Sequence, residues 1–231
     1  MVRHVQKIVR VRIKNACNFL RTKAKKDKTK IFCIGRNKTG TTSMKVMMEK
    51  LGFVVGDQRT AELLLDDWAE HRYEDLIKYC KTAQFFQDVP FSLPETYIAL
   101  DKAFPGSKFI LTIRDNAEQW YNSVTRFHAK LWGKNGRIPT KEDLQSATYI
   151  VKGRPWINNQ LIYNTSESDP YNKEVFIKHY NTYNERVKLY FKNRPNDLLV
   201  LNVAEKDAAK RLTEFLGLPS TKNEFPWVNK T

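Results

Sequence analysis

Two stretches of this 231-residue chain place anion-binding residue types directly after short apolar runs. In the first, residues 31–34 (Ile-Phe-Cys-Ile) read as a buried parallel strand. They run into Gly35, Arg36, Asn37, Lys38, Thr39, Gly40, Thr41, Thr42 and Ser43. Met44, Val46, Met47, Met48 and Leu51 then follow at helical spacing, up to Gly52. A strand, a tight loop and a helix start form a phosphate cradle, because free backbone N–H groups and the positive end of the helix dipole point the same way. In the second stretch, an apolar strand over residues 109–113 stops at Arg114 and Asp115, and a helix carrying Trp120, Tyr121 and Ser123 follows. Arg presents a planar fork of donors to a phosphate, and Ser adds a hydroxyl.

The first loop departs from the nucleoside-triphosphate consensus G-x-x-x-x-G-K-[ST]. Gly35 and Gly40 keep its spacing, but Thr41 stands where the lysine belongs, and the loop's one lysine, Lys38, precedes Gly40. A lysine after the glycine reaches the β- and γ-phosphates of a triphosphate. A lysine before it sits on the other side of the bound group, nearer a short 5′ substituent. The sequence Lys-Thr-Gly-Thr-Thr after a strand resembles the 5′-phosphosulfate loop of sulfotransferases that use 3′-phosphoadenosine 5′-phosphosulfate (PAPS). Arg114 and Ser123, nine residues apart, resemble that family's second signature, which binds the 3′-phosphate. The closing segments, residues 198–219 and Glu-Phe-Pro-Trp-Val-Asn at 224–229, are similar to its last strand, helix and tail. The likeness covers residues 30–229 with gaps and is nearest to a branch with GRTGTTS-like loops. Residues 114–120 are one residue longer than that branch's RDP-x-x-W.

The resemblance implies an enzyme that moves the sulfuryl group of PAPS to a hydroxyl or amine of a small-molecule or glycan acceptor and releases adenosine 3′,5′-bisphosphate (PAP). It implies that Arg36, Lys38, Thr39, Gly40, Thr41, Thr42 and Ser43 surround the 5′-phosphosulfate, with Lys38 at the bridging oxygen, and that Arg114 and Ser123 hold the 3′-phosphate. Asp88 occupies the place of the family's catalytic histidine and is the candidate base. An aspartate is a weak base at its ordinary pKa of about 3.9, so the role needs burial to raise it. No metal is needed by a donor without a triphosphate, and the four histidines are scattered; His128 is the spare base. Two other classes compete. A P-loop kinase would need a lysine after Gly40. A basic nucleic-acid or membrane-surface protein would leave the Arg114–Ser123 pair unexplained.

The elements that position these residues alternate. Strands are expected near 31–35, 53–55, 84–87, 109–113 and 198–202, and helices near 42–51, 59–80, 92–103, 116–131, 173–192 and 204–216, with Ser92 capping the third. That alternation indicates an α/β fold, a central parallel sheet of about five strands flanked by helices, in a P-loop NTPase-like sulfotransferase architecture. Both phosphate motifs then lie at carboxyl ends of strands, where open α/β sheets bind ligands. Residues 132–171, rich in Gly, Pro, Asn and Ser with scattered aromatics and cations, break the rhythm and read as a lid or acceptor-binding insertion. Their basic, aromatic character favours an acidic or sugar-like hydroxyl acceptor.

A 41% hydrophobic and 12% aromatic composition suffices for a sizeable core. The net charge of +15 is uneven. Residues 1–30 hold eleven Lys or Arg against Asp27 alone, a net +10, so the folded part is only mildly basic and no nucleic-acid partner is expected. Residues 1–29 thus form a basic arm ahead of a domain at 30–231. Val2, Val5, Val9, Ile13, Ala16 and Leu20 recur at helical spacing within the arm. It reads as an amphipathic helix making peripheral contact with an anionic membrane, as a targeting peptide, or as an extra helix packed on the domain before a Lys-rich linker. Cys17, Cys33 and Cys80 lack metal or CxxC spacing and suit a reducing compartment, and no run approaches the roughly 18 apolar residues of a membrane span. The expected location is cytoplasmic.

Overall fold

The computed structural model describes residues 2–24, 29–219 and 224–226. Its elements run α1 (Val2–Ala24), β1 (Ile31–Cys33), α2 (Thr41–Lys50), α3 (Gln58–Glu62), α4 (Leu65–Ala69), α5 (Glu74–Tyr79), β2 (Phe85–Gln87), α6 (Thr96–Ala103), β3 (Lys108–Thr112), α7 (Ala117–Trp132), α8 (Lys141–Ser146), β4 (Thr148–Tyr149), β5 (Val151–Lys152), α9 (Arg154–Tyr163), α10 (Lys173–Tyr190), β6 (Leu198–Leu201) and α11 (Ala208–Phe215). Two units divide the chain. The first comprises the described residues of Met1–Ile113 and Val187–Val228, the second Arg114–Arg186.

The first unit holds a parallel sheet in the order β2-β1-β3-β6. β1 has β2 on one side and β3 on the other, so its carboxyl end opens at the point where the order of strands reverses, the ligand-binding position of such sheets. Alternation along β1 sends side chains to opposite faces. Ile31 and Cys33 join Met44, Met47 and Met48 of α2 and Ala208, Ala209 and Leu212 of α11 in one core cluster. Phe32 meets an aromatic layer instead, with ring centroids 5.8 Å from Phe86, 6.1 Å from Phe91 and 5.5 Å from Phe109.

The sheet has four strands, not about five. Residues 53–55 contribute only an isolated bridge between Val55 and Phe85. The Val54 N–H is taken by the Gln84 side chain at 3.2 Å, a ladder position lost to a side chain. The single helix expected over 59–80 is three short ones, interrupted at Leu63 and Leu64 and again over 70–73, where His71 adopts a left-handed φ of 56°. The third helix starts at Thr96 rather than at Ser92, because Asp88 and Glu95 are both left-handed (φ 65° and 64°) and residues 88–95 form successive turns.

The second unit packs Trp120, Val124, Leu144, Tyr171, Phe176 and Tyr180 into its own core. Trp120 stacks on Tyr180 at 4.6 Å and Tyr163 on Phe176 at 3.9 Å. Residues 132–171, expected to be irregular, carry α8, the β4–β5 hairpin and α9. The basic arm is helical over Val2–Ala24, while the Lys-rich stretch 25–28 and the end of the tail (227–229) lie outside the described residues. Among the described residues no helix is long and apolar enough to cross a membrane.

A Cβ on Gly35 would lie 2.0 Å from Thr112 Oγ1 and 2.4 Å from the Thr112 carbonyl oxygen, so the loop passes β3 closer than any side chain allows. Gly35→Ala should lower unfolding free energy by roughly 1–3 kcal/mol, the usual cost of overpacking, read as a fall in the urea midpoint without a change in slope.

Candidate active site

The loop between β1 and α2 is fastened from within. Thr39 is fully buried, and its hydroxyl donates to the Arg36 carbonyl at 2.5 Å and lies 2.6 Å from Thr112 Oγ1. With the Thr39 proton so used, Thr112 donates the second bond. The Thr39 hydroxyl, expected around a bound phosphosulfate, is therefore committed to the loop itself. Gly40 precedes α2 with φ 97° and leaves its end without a side-chain cap. A Cβ there would meet Val203 at 2.4 Å, and the left-handed backbone independently favours glycine. The first-turn amides of α2, from Thr41, Thr42 and Ser43, have no intrahelical acceptor by geometry, and the helix dipole adds positive potential there. Thr41 and Ser43 are buried, and Thr42 is half-buried.

Arg36 and Lys38 part ways. Arg36 is 1% exposed, and its Nη1 donates to the Ser92 carbonyl at 2.7 Å. This bond ties the β1–α2 loop to the turn that carries Asp88. Lys38 is partly exposed and holds a left-handed φ of 66°. Strain of this kind in a non-glycine residue persists where surrounding structure over-determines it, and it concentrates at functional sites. Lys38 and Asp88 share it.

Asp88 follows β2 directly. Burial pushes its carboxyl from an ordinary 3.8 up to about 6, and the nearby Glu62 carboxylate adds to the rise. The Val89 N–H, which donates to Asp88 Oδ1 at 2.9 Å, and the charges of Arg36 and Lys38 oppose it. Three of the expected site residues are thus brought into one electrostatic neighbourhood. A polar set that sequence reasoning did not find surrounds them. Gln58 Nε2 donates to the Val89 carbonyl at 3.1 Å, and Gln58 Oε1 accepts from Gln87 Nε2 at 3.3 Å. Gln87 Oε1 and Ser92 Oγ are buried and, among the described residues, have no hydrogen-bond partner. No local signal marks Gln58 or Glu62, which lie 26–30 residues ahead of Asp88 in the chain.

Arg114 and Ser123 belong to the second unit. The Arg114 N–H donates to the Tyr180 hydroxyl at 3.0 Å. Its guanidinium is half-buried, and desolvation lowers its pKa against the opposing pull of Tyr180 and Asp115. Arg126 stands close enough to add like-charge repulsion. Asn116 caps α7 by accepting from the Gln119 N–H at 2.8 Å. Ser123 lies on the buried face of α7 with Trp120 and Val124 and is 3% exposed. Arg126, three residues on, is the cation that the motif reading passed over. His128, the spare base, lies 2.9 Å from the Tyr171 hydroxyl and 4.5 Å from the Trp132 ring, inside an aromatic cluster. Among the described residues no group of His, Cys, Asp or Glu has the arrangement of a metal site.

A family model described as a sulfotransferase domain matches residues 30–231. No curated protein matches the chain.

The raised carboxyl makes a stability prediction with a definite sign. An acid whose pKa is higher folded than unfolded binds more protons in the folded state between the two values, so stability falls as pH rises from about 4 through about 6. Asp88→Asn keeps the shape and, like Asp, tolerates the left-handed backbone. It should stabilise the protein by roughly 1–3 kcal/mol at pH 8 and hardly at all at pH 4. Urea unfolding at the two pH values measures this; equal effects at both would mean that the carboxylate carries no burial penalty.

Proposed function

The chain belongs to the sulfotransferase domain family, and on that premise we propose that it transfers a sulfuryl group from PAPS to a hydroxyl or amine of an acidic or sugar-like acceptor. The observation that carries this reading is the grouping of Lys38, Arg36 and a carboxyl titrating near 6 beside an uncapped helix start. When bound, PAPS supplies a sulfuryl group already activated on a phosphate. The remaining work is positioning and charge stabilisation.

In this reading the amides of residues 40–43, together with the Thr41, Thr42 and Ser43 hydroxyls, hold the 5′-phosphate. The Lys38 ammonium faces the bridging oxygen, where negative charge grows as the S–O bond breaks. Arg114 and Ser123 take the 3′-phosphate. Asp88 accepts the acceptor's proton. A carboxyl near 6 is ionised at neutral pH yet a better base than an ordinary aspartate, the compromise a general base requires. Gln87 Oε1 and Ser92 Oγ, buried and without partners among the described residues, leave hydrogen-bonding capacity unused beside Asp88. A cavity of about 390 Å³ in the second unit is lined by Thr125, Arg126, Ala129, Lys130, Gly136 and Ile138. Its two cations and small apolar wall favour an acidic compound. Residues 132–171 border it through Gly136 and Ile138, which supports a lid or acceptor-binding role for that segment.

Calorimetry tests the donor class without knowledge of the acceptor. PAP should bind without added metal, and ATP much more weakly; equal affinity for ATP with a Mg²⁺ requirement would sink the proposal. Arg114→Ala should cost about 1.5–3 kcal/mol of PAP affinity, the range for hydrogen bonds to a charged group.

With an acceptor found by screening labelled PAPS, single-turnover kinetics divide the other roles. Lys38→Ala should act on turnover more than on PAP affinity, because its interaction strengthens in the transition state. Asp88→Asn should hold PAP affinity or tighten it slightly, since a carboxylate near a bound anion is lost, and should lower turnover by roughly 10²–10⁴-fold. Near-full turnover in that variant would reduce Asp88 to a structural turn residue.

A further inference from the structure

α1 is an amphipathic helix mounted the unexpected way round. From Lys14 to Thr22 the face it turns to the rest of the first unit is polar. Lys14 Nζ pairs with Asp57 Oδ2 at 2.8 Å, Asn15 Nδ2 donates to Thr60 Oγ1 at 3.2 Å, Asn18 Nδ2 donates to the Val55 carbonyl at 3.0 Å, and Thr22 Oγ1 donates to the Thr82 carbonyl at 3.3 Å. Asn18 and Thr22 are buried by the contact. At about 100° per residue, Asn15, Asn18 and Thr22 fall within roughly 60° of one another. Ile13, Ala16 and Leu20 centre about 160° away on the same count. These three residues are exposed, Ile13 at 58% and Leu20 at 65%. The sequence continues the same spacing through Val9, Val5 and Val2.

Polar-side docking with the apolar side left outward has no advantage for a helix that merely completes the fold. Burying Ile13 and Leu20 against the body would stabilise at least as much as four polar contacts, each of which exchanges hydrogen bonds already made to water. The charge pattern indicates what covers the outward face. Residues 2–24 hold seven Lys or Arg and no acid. Arg21 and Lys23 are exposed at the edges of the stripe near its carboxyl end, with Lys23 4.8 Å over the Phe19 ring. A second copy of the chain docking here would bring like charges together. An apolar stripe flanked by cations suits the boundary of an anionic bilayer, where the stripe enters the acyl region and the cations meet headgroups.

We propose that α1 is a bracket. Its Asn15–Asn18–Thr22 face clamps the first unit, and its Ile13–Ala16–Leu20 face seats the protein on an anionic lipid surface. The proposal is independent of the reaction catalysed.

Sedimentation with sucrose-loaded vesicles tests it on the full chain. The protein should bind vesicles containing phosphatidylserine, bind phosphatidylcholine vesicles more weakly, and lose affinity as salt rises. Ile13→Asp with Leu20→Asp should weaken binding about tenfold or more, since two apolar insertions are lost. The thermal midpoint should stay nearly unchanged, because both side chains are largely exposed. If that variant fails to fold, Arg21→Glu with Lys23→Glu gives the parallel test and should also lose about tenfold or more. Three results would overturn the proposal: a wild-type chain that ignores anionic vesicles, equal binding by wild type and the substituted chains, or a dimer in solution that the same substitutions dissociate.

Discussion

A guanidinium with 1% of its surface exposed is the constraint on which the first unit's site rests. Burying a cation costs several kcal/mol unless hydrogen bonds and nearby negative charge offset it. Arg36 meets that cost through the Ser92 carbonyl and the field of Asp88. Because both partners lie on the turn after β2, satisfying the charge forces the β1–α2 loop and that turn together. Thr39 and Thr112 fix the other side of the same loop to β3. The loop is held at both flanks, and Lys38 at its apex has no freedom to relax its left-handed backbone.

In the proposed reaction the same arrangement gives Asp88 a use that offsets its cost. Its carboxyl is penalised by burial and by Glu62, and its backbone is strained. Packing alone would favour Asn or Gly there. Two cations limit the penalty, so the pKa stops near 6 and the group remains ionised at neutral pH. A base used in group transfer needs such a setting, and local destabilisation is a common accompaniment of function. Gln58 and Gln87 add a polar wall beside it, fastened by hydrogen bonds that span 29 and 31 residues.

What could be read from the sequence follows from the range of the interactions involved. The strand–loop–helix at Ile31–Lys50 and the strand Lys108–Thr112 were legible, because period and apolar runs are local signals. Gly35 and Gly40 were legible as loop glycines, although their immediate reasons, Thr112 and Val203, lie far along the chain. The fifth strand failed because the Gln84 side chain claims an N–H that periodicity assigned to a ladder. The Ser92 cap failed because Asp88 and Glu95 take left-handed backbones, and the type of Glu95 does not announce one. The inward aim of Arg36 was invisible for the same reason: its partner is a backbone carbonyl 56 residues away. The arm's periodicity was visible, but whether its apolar or its polar side meets the fold is a matter of tertiary contact.

In the proposed function, the Asp88 carboxyl stands in the field of the loop that holds the donor's anionic end. Following the Asp88 carboxyl by NMR through a pH titration, with Asp88→Asn identifying its resonance, tests this without any acceptor. The expected midpoint is about 6 in the free protein. PAP should move it higher, because an added anion nearby disfavours the carboxylate. A midpoint in the ordinary aspartate range, with no response to saturating PAP, would contradict the account.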